Sequence, residues 1–255
     1  MGDNPGMSRP GFLDAAARQA SAALDISRRP WPLPAEPWAQ SETREDVLLA
    51  HWPAPPGELT RLLPPELELD TFAGESWLGV VAFRVRNLRL RGLPPLPGLS
   101  TLIELEVRTY VTDGVRPGIW LFSLEATNRL LVEAAKRTHR LPAYRARISL
   151  EADGRALALS ADRDGRSFRA RYERTGRPSR TKPGTLEYFL CERYALYTAD
   201  GGRLYRAELH HSPWRVRPAR ATLELSTLVP LALEGEPHAL GAAPYDLLVW
   251  PLEEL

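Results

Sequence analysis

One eight-residue stretch, ELEVRTYV at positions 104–111, carries acidic, basic and phenolic side chains at a spacing that could do chemistry. Its residues alternate as in a β-strand, in which every second side chain projects from the same face. The polar members of one face are Glu104, Glu106, Arg108 and Tyr110. If Glu104 and Glu106 were buried together, their pKa values would differ. The guanidinium group of Arg108 could bind a carboxylate. The strand alone leaves two interpretations open: a cavity wall, or an exposed face with weak ion pairs.

Two adjacent histidines, His210 and His211 in LHHSPW, are the next candidates for chemistry. On a strand they point to opposite faces, so they cannot both bind one metal ion without a bulge. The other three histidines show no ligand spacing with this pair, and we therefore expect no metal. One of the two could instead face a cavity as a general base or hydrogen-bond partner.

The segment FLCERY at 189–194 combines a thiol, a carboxylate and a guanidinium group. Cys191 lies in an apolar stretch of a predicted helix without a neighbouring base, so we interpret it as a buried apolar residue rather than a nucleophile. Glu192 and Arg193 allow two interpretations. The one that we favour is a buried ion pair that ties the helix to the sheet, and the other makes Arg193 a carboxylate-binding residue.

The composition limits which chemistry and which partners are expected. The chain has 255 residues, is 44% hydrophobic and has a net charge of +1, which fits a soluble globular protein and gives no general reason to expect nucleic acid or a membrane as a partner. Lys136 and Lys182 are the only lysines, so a Schiff-base mechanism has two candidate amines. Because the sequence has no glycine-rich loop of the kind that binds the phosphates of a nucleotide, we expect no cofactor. A single cysteine and the lack of a secretion signal predict a cytoplasmic protein.

The elements that would position these residues are mainly antiparallel strands. A helix at 12–25 and a proline-rich segment at 28–38 predict an arm at 1–38, with Trp31 and Trp38 as anchors on a single domain at 39–255. Strand patterns occupy 46–54, 76–93, 104–111, 119–126, a meander at 143–173, 202–211, 220–234 and 245–251, and helical patterns occupy 57–63, 128–139 and 185–197. These patterns predict an α+β fold whose antiparallel sheet curls into a barrel or cone.

Seven motifs between residues 28 and 251 resemble those of the bacterial YqjF-like family, DUF2071. They are RRPWPLP, HWPAPPGELTRLLPPELELDTFAGESWLGVVAF, ELEVRTYV, PGIWLFSLEA, LPAYRARI, PGTLEYFLCERYALY and LHHSPWRVRPA. This family is distantly similar to the acetoacetate decarboxylase-like superfamily. The resemblance therefore implies a β-cone or barrel around an apolar cavity, with two or three peripheral helices. It also implies that Glu104 lies in the cavity wall, with Arg108 and Tyr110 on the same face.

The same resemblance argues against decarboxylation through a Schiff base. Acetoacetate decarboxylases use a Pro-Lys-Lys segment, and the matching segment here, LPAYRARI, has Ala143 and Tyr144 in place of the lysines. We expect one of these two residues to point into the cavity beside Glu104. Neither Lys136 nor Lys182 has apolar neighbours in the sequence that would lower the pKa of its amine.

Two functional hypotheses remain. The first is a small-molecule site inside the cone for an apolar, carboxylate-bearing compound. In it Arg108 holds the carboxylate and Glu104 is the acid–base group, while Tyr110 and Tyr144 donate hydrogen bonds. The second is a non-enzymatic scaffold or interaction protein whose arm at 28–38 docks onto a partner or onto a second copy in a homo-oligomer.

Overall fold

The computed structural model of the chain describes residues 12–95 and 98–255, and these residues form fifteen β-strands and four α-helices. The strands are β1 (Gln40–Ala54), β2 (Glu68–Leu69), β3 (Ser76–Leu90), β4 (Leu102–Thr112), β5 (Pro117–Ala126), β6 (Ala143–Arg145), β7 (Arg147–Asp153), β8 (Ala156–Arg163), β9 (Arg166–Arg174), β10 (Ser179–Arg180), β11 (Ala195–Asp200), β12 (Arg203–His211), β13 (Arg215–Ser226), β14 (His238–Ala242) and β15 (Tyr245–Glu254). The helices are α1 (Phe12–Ser21), α2 (Pro56–Thr60), α3 (Arg129–His139) and α4 (Leu186–Cys191), with a 3₁₀ turn at Ala22–Leu24.

Seven strands form a closed barrel. Their order is β1, β3, β4, β5, β11, β12 and β15, and β15 pairs back onto β1. Every pairing is antiparallel except that of β11 with β5. Closure leaves no free edge in this part of the sheet. The predicted α+β fold with a curved antiparallel sheet that closes into a barrel is therefore confirmed.

Strand β1 belongs to two sheets because it changes partner at a bulge. Residues 40–44 pair with β15, whereas residues 48–51 pair with β14. Between these halves the register against β3 shifts, and Asp46 adopts a left-handed backbone with φ of 50°, a conformation that Asp tolerates better than most residues. From β14 a second sheet continues through β13, β9 and β8 to β7. The bulge thus directs the second sheet away from the barrel.

The two faces of strand β4 lie in different apolar cores. Leu105 and Val107 pack with residues of the second sheet such as Phe168. Tyr110 packs in the apolar cluster inside the barrel. The polar face of ELEVRTYV consequently points into the barrel, and Glu106 and Arg108 are buried there.

The segment 185–197 differs from the single helix that its pattern predicts. Thr185 caps α4 as expected, since its side chain accepts a hydrogen bond from the backbone N–H of Tyr188. The helix ends at Cys191, however, and β11 begins at Ala195, where the backbone pairs with β5 and β12. The prediction of helix beyond residue 191 is wrong because this long-range pairing overrides the local pattern.

Other bounds also differ from the predicted ones. Strand β1 begins at Gln40 rather than at 46, and strand β13 covers Arg215–Ser226 rather than 220–234. No strand was predicted at β14, whereas the four α-helices of the described residues match the four helical patterns of the sequence. None of these helices is long and apolar enough to cross a membrane.

The arm at 28–38 packs against the barrel through aromatic and charged contacts. The guanidinium of Arg29 is fully buried, pairs with Glu208 and donates to the carbonyl of Leu209. The indole N–H of Trp31 donates to Glu208 over 2.8 Å. Trp38 is buried in a small cluster with Trp250 and neighbouring apolar residues. These contacts tie the arm to β12 and β15.

Candidate functional site

A cavity of about 130 Å³ lies inside the barrel, between its strands and helix α3. Apolar side chains from both make much of its wall, among them Leu121, Leu124, Leu131, Leu196, Leu209 and Leu247. Ala134 and Thr138 also line it from α3, and both are exposed, so the cavity reaches the surface beside this helix. An engineered cavity of about 150 Å³ in another protein takes up benzene. The cavity therefore has room for a compound of roughly that size.

Three carboxyl groups and three guanidinium groups also line the cavity. They belong to Glu42, Glu104, Glu106, Arg44, Arg108 and Arg193. Arg44 donates to Glu42 over 2.7 Å and to Glu106 over 3.0 Å. The other oxygen of Glu106 accepts from Nη1 of Arg108 over 3.3 Å. These contacts form one chain of ion pairs, in which each carboxylate is compensated by an arginine.

Glu104 does not take part in these ion pairs. Among the residues that the structure describes, no side chain or backbone group forms a hydrogen bond or ion pair with its carboxyl group, although it is partly exposed and lines the cavity. Burial raises the pKa of Glu104 to about 8, and the charges of Glu42 and Glu106 add to this, while Arg44 opposes it. The carboxyl is therefore mainly protonated at neutral pH and can donate a proton or a hydrogen bond.

Arg108 has donors left after its contacts with the protein. Nη1 donates to Glu106, and Nη2 donates to the hydroxyl of Tyr110 over 3.3 Å and to the carbonyl of Leu190 over 3.2 Å. A guanidinium group carries five N–H donors, and three are used here. The Nε–H is buried and has no partner in the described residues. Tyr110 lies beside Arg108 but does not itself line the cavity.

The two histidines of β12 lie on opposite faces. His211 lines the cavity, whereas His210 contacts the carbonyl of Ala22 over 3.0 Å outside it. Nδ1 of His211 lies 3.1 Å from the carbonyl oxygen of Ser212, and Nε2 lies 3.3 Å from both the carbonyl oxygen of Arg193 and the indole nitrogen of Trp214. Burial lowers the pKa of His211. Because both nitrogens are engaged, His211 is poorly placed to act as a general base.

Glu192 and Arg193 do not pair with each other, and the ion pair that the sequence favoured is wrong. Glu192 accepts hydrogen bonds from Thr181, from Tyr194 and from the backbone N–H of Trp214. Arg193 pairs with Asp70, and its Cζ lies 4.0 Å from the ring of Phe189. Adjacent residues at the end of a short helix point in different directions, so each finds its own partner.

Cys191 also borders the cavity but is only 2% exposed. Burial raises the pKa of its thiol. A thiol that resists ionisation is a weak nucleophile.

The structure brings neither Ala143 nor Tyr144 to the cavity lining. Ala143 is fully buried in the apolar cluster of the barrel, while Tyr144 is 40% exposed and its ring lies 3.9 Å from Cζ of Arg163. Strand β6 pairs with the end of β5 in parallel, which places Tyr144 on the outer side. The lysines are also elsewhere, since Lys136 is solvent-exposed beside Glu133 on α3 and Lys182 is exposed in a loop.

Three residues of this region were missed by sequence reasoning. Glu42 and Arg44 precede residue 46, where the predicted strand began, although the alternation in QSETRE already continues that strand pattern. His51 lies deep in the barrel, with Nε2 at 2.7 Å from the hydroxyl of Tyr110. Within the described residues, no three His, Cys, Asp or Glu side chains come together as metal ligands.

The sequence matches a known family over most of its length. The model of DUF2071, a family described as an uncharacterized conserved protein, covers residues 41–244. The chain belongs to the DUF2071 family. The uncharacterized protein YqjF of Bacillus subtilis strain 168 is 37% identical in an alignment of 224 positions that covers 85% of this chain and 93% of that protein.

Solved structures share the fold of this DUF2071 protein. An acetoacetate decarboxylase-like enzyme from Sphingomonas wittichii RW1 superposes with a TM-score of 0.63 at 17% identity, covering 88% of this chain and 96% of that one. The enduracididine biosynthesis enzyme MppR, complexed with pyruvate, superposes with a TM-score of 0.60 at 15% identity, covering 89% and 93%. At such identities the similarity establishes the acetoacetate decarboxylase-like fold and nothing finer.

Proposed function

We propose that this DUF2071 protein binds, inside its barrel, a small and mainly apolar compound that carries a carboxylate, and that any reaction proceeds without a Schiff-base lysine. The observation that carries the proposal is Glu104, a cavity carboxyl without a partner in the described part of the chain. Because its carboxyl is partly exposed in the cavity and is not used by the protein's own contacts, it is available to a ligand. A ligand oxygen could accept a hydrogen bond from the protonated carboxyl.

The lining offers hydrogen-bond donors that suit a carboxylate. With Glu104 protonated, Arg44 and Arg108 compensate Glu42 and Glu106, and Asp70 compensates Arg193. A ligand carboxylate can then accept a hydrogen bond from Glu104 and from the second Nη1–H of Arg108, a residue that lines the cavity and uses one Nη1–H for Glu106. MppR, which shares the fold, was solved with pyruvate, a small carboxylate of this kind. A group with a pKa near 8 is also suited to acid–base chemistry at neutral pH.

The arm supports an interaction role less well. Its two aromatic anchors are engaged with the barrel, since Trp31 donates to Glu208 and Trp38 is buried beside Trp250. Arg29, buried between them and β12, would lose its partner if the arm detached. We therefore assign the arm a structural role.

Carboxylate binding is tested with matched pairs of small ligands. We expect isobutyrate and pyruvate, which carry a carboxylate, to raise the midpoint temperature of unfolding in a thermal-shift assay. Isobutyramide, the amide that matches isobutyrate in shape, should leave it nearly unchanged. Arg108→Lys should weaken isobutyrate binding at least tenfold, since an ammonium lacks the planar fork of donors. Arg171→Lys is the control, because Arg171 is exposed on β9. Equal binding of amide and carboxylate would contradict the proposal.

The absence of a Schiff base is tested by borohydride trapping. After incubation with acetoacetate and sodium borohydride, we expect mass spectrometry to detect no adduct, because Lys136 and Lys182 both lie outside the cavity. An acetoacetate decarboxylase treated in parallel is the positive control. A stoichiometric adduct on either lysine would show that amine chemistry does occur.

A further inference from the structure

We propose that His51 is a positioning residue for Arg108. Through its hydrogen bond to Tyr110, it holds the guanidinium of Arg108 in one orientation against the cavity. That the fixed guanidinium serves to bind a ligand carboxylate rests on the proposed function, but the orientation of Arg108 can itself be tested without any ligand. Sequence patterns and the similarity to known proteins give His51 no role.

Three neighbouring strands bring the participants together. His51 of β1 lies opposite Gly79 of β3, which in turn lies opposite Arg108 of β4. The space above Gly79 is filled by His51, because a Cβ atom at position 79 would lie 2.6 Å from Cδ2 and 2.7 Å from Nε2 of the imidazole. Glycine weakens a strand interior and often marks a close approach. Here it allows the imidazole to reach across β3 to Tyr110.

The hydrogen bonds favour one tautomer of His51. Burial and the charge of Arg108 hold the pKa of His51 well below its usual value, so the ring is neutral and has one donor and one acceptor. Nδ1 is buried without a partner among the described residues, and a proton there would be an unsatisfied donor. The proton therefore lies on Nε2, which donates to the hydroxyl of Tyr110 over 2.7 Å.

This tautomer fixes the direction of the next bonds. The hydroxyl of Tyr110, acting as acceptor for His51, can donate its own proton to the carbonyl of Leu190 over 3.1 Å. Its remaining acceptor capacity receives Nη2 of Arg108 at 3.3 Å. The same Nη2 also donates to Leu190. Arg108 is thus held at Nη2 by two acceptors, one of which is oriented by His51, while its Nε–H remains unused.

The test measures the mobility of Arg108 directly. In protein labelled with ¹⁵N-arginine, we expect separate Nη signals for Arg108, assigned by their loss in Arg108→Lys. Tyr110→Phe and His51→Leu should merge or broaden these signals, because rotation of the guanidinium is no longer hindered. His51→Gln should retain them, since an amide N–H can replace Nε2–H. Arg44, held by Glu42 and Glu106, is the internal control and should not change.

Several outcomes would overturn the inference. Arg108 signals that stay unchanged in both Tyr110→Phe and His51→Leu, with native circular dichroism, would reduce His51 to a packing residue. If His51→Leu does not fold, the ¹⁵N shifts of His51 in the unmodified protein decide, and a proton on Nδ1 would contradict the assignment. With isobutyrate as probe, His51→Leu should lose affinity at least tenfold. Failure of the unmodified protein to bind isobutyrate would contradict the proposed function, whereas the arginine spectra would still decide the role of His51.

Discussion

Replacing Phe168 with alanine is expected to lower the free energy of unfolding by about 3–5 kcal/mol, the usual loss for a fully buried phenylalanine. Phe168 has no exposed surface and lies in the core between the second sheet and the outer face of the barrel. Domains of this kind are stable by about 5–15 kcal/mol. The variant should therefore unfold at markedly lower urea concentration, as followed by circular dichroism.

The control for this substitution is Leu130→Ala, in which a leucine with 66% of its surface exposed is shortened. We expect it to change the unfolding free energy by less than about 0.5 kcal/mol. If Phe168→Ala were equally mild, or if two separate transitions appeared, the second sheet and the barrel would not share one cooperative core. The result matters for the site because Leu105 and Val107 pack in this core, and they alternate with Glu104, Glu106 and Arg108 along β4.

Glu104→Gln is expected to stabilise the protein increasingly as the pH rises from about 4.5 to about 8. The folded state holds the proton of Glu104 with a pKa of about 8, whereas the unfolded chain releases it near 4.5. The contribution of Glu104 to stability is therefore full below pH 4.5 and is lost as the pH rises through 8. Each unit of such a shift is worth about 1.4 kcal/mol, so the difference between pH 5 and pH 8 should reach a few kcal/mol at most.

The measurement is the difference in unfolding free energy between Glu104→Gln and the unmodified protein at several pH values. Taking this difference cancels the contribution of the buried histidines, which is the same in both proteins. Because their pKa values are lowered in the folded state, the histidines make the protein more stable as the pH rises towards about 6.5, which is opposite to the effect of Glu104. The difference also cancels Glu125, whose pKa burial raises to about 7. Glu133→Gln, at an exposed site on α3, is the control for the change from a carboxyl to an amide. A flat difference for Glu104→Gln would mean that its carboxyl is ionised in the folded protein at neutral pH.

Local features of the chain were predicted correctly where the deciding interactions are themselves local. The alternation of ELEVRTYV, the Asp-Gly turns at 153–154 and 164–165 and the cap at Thr185 all depend on residues within a few positions of one another. The helical pattern predicted for 185–197 was wrong at 192–197, because distant strands pair with the backbone of β11. The barrel was predicted because the many strand patterns imply a long antiparallel sheet, which avoids exposed edges by closing on itself, and because the family resemblance implies the same fold.

The sequence by itself determined which chemical groups the chain can bring to a site: a strand face with two carboxyl groups and an arginine, and only two lysines. Only the tertiary structure decided that this face points into the barrel, because closure of β15 onto β1 defines an inside. The cross-strand register likewise placed His51, Gly79 and Arg108 side by side and turned Tyr144 outward. Residues 28 or more positions apart become neighbours only through this register, which no local pattern encodes.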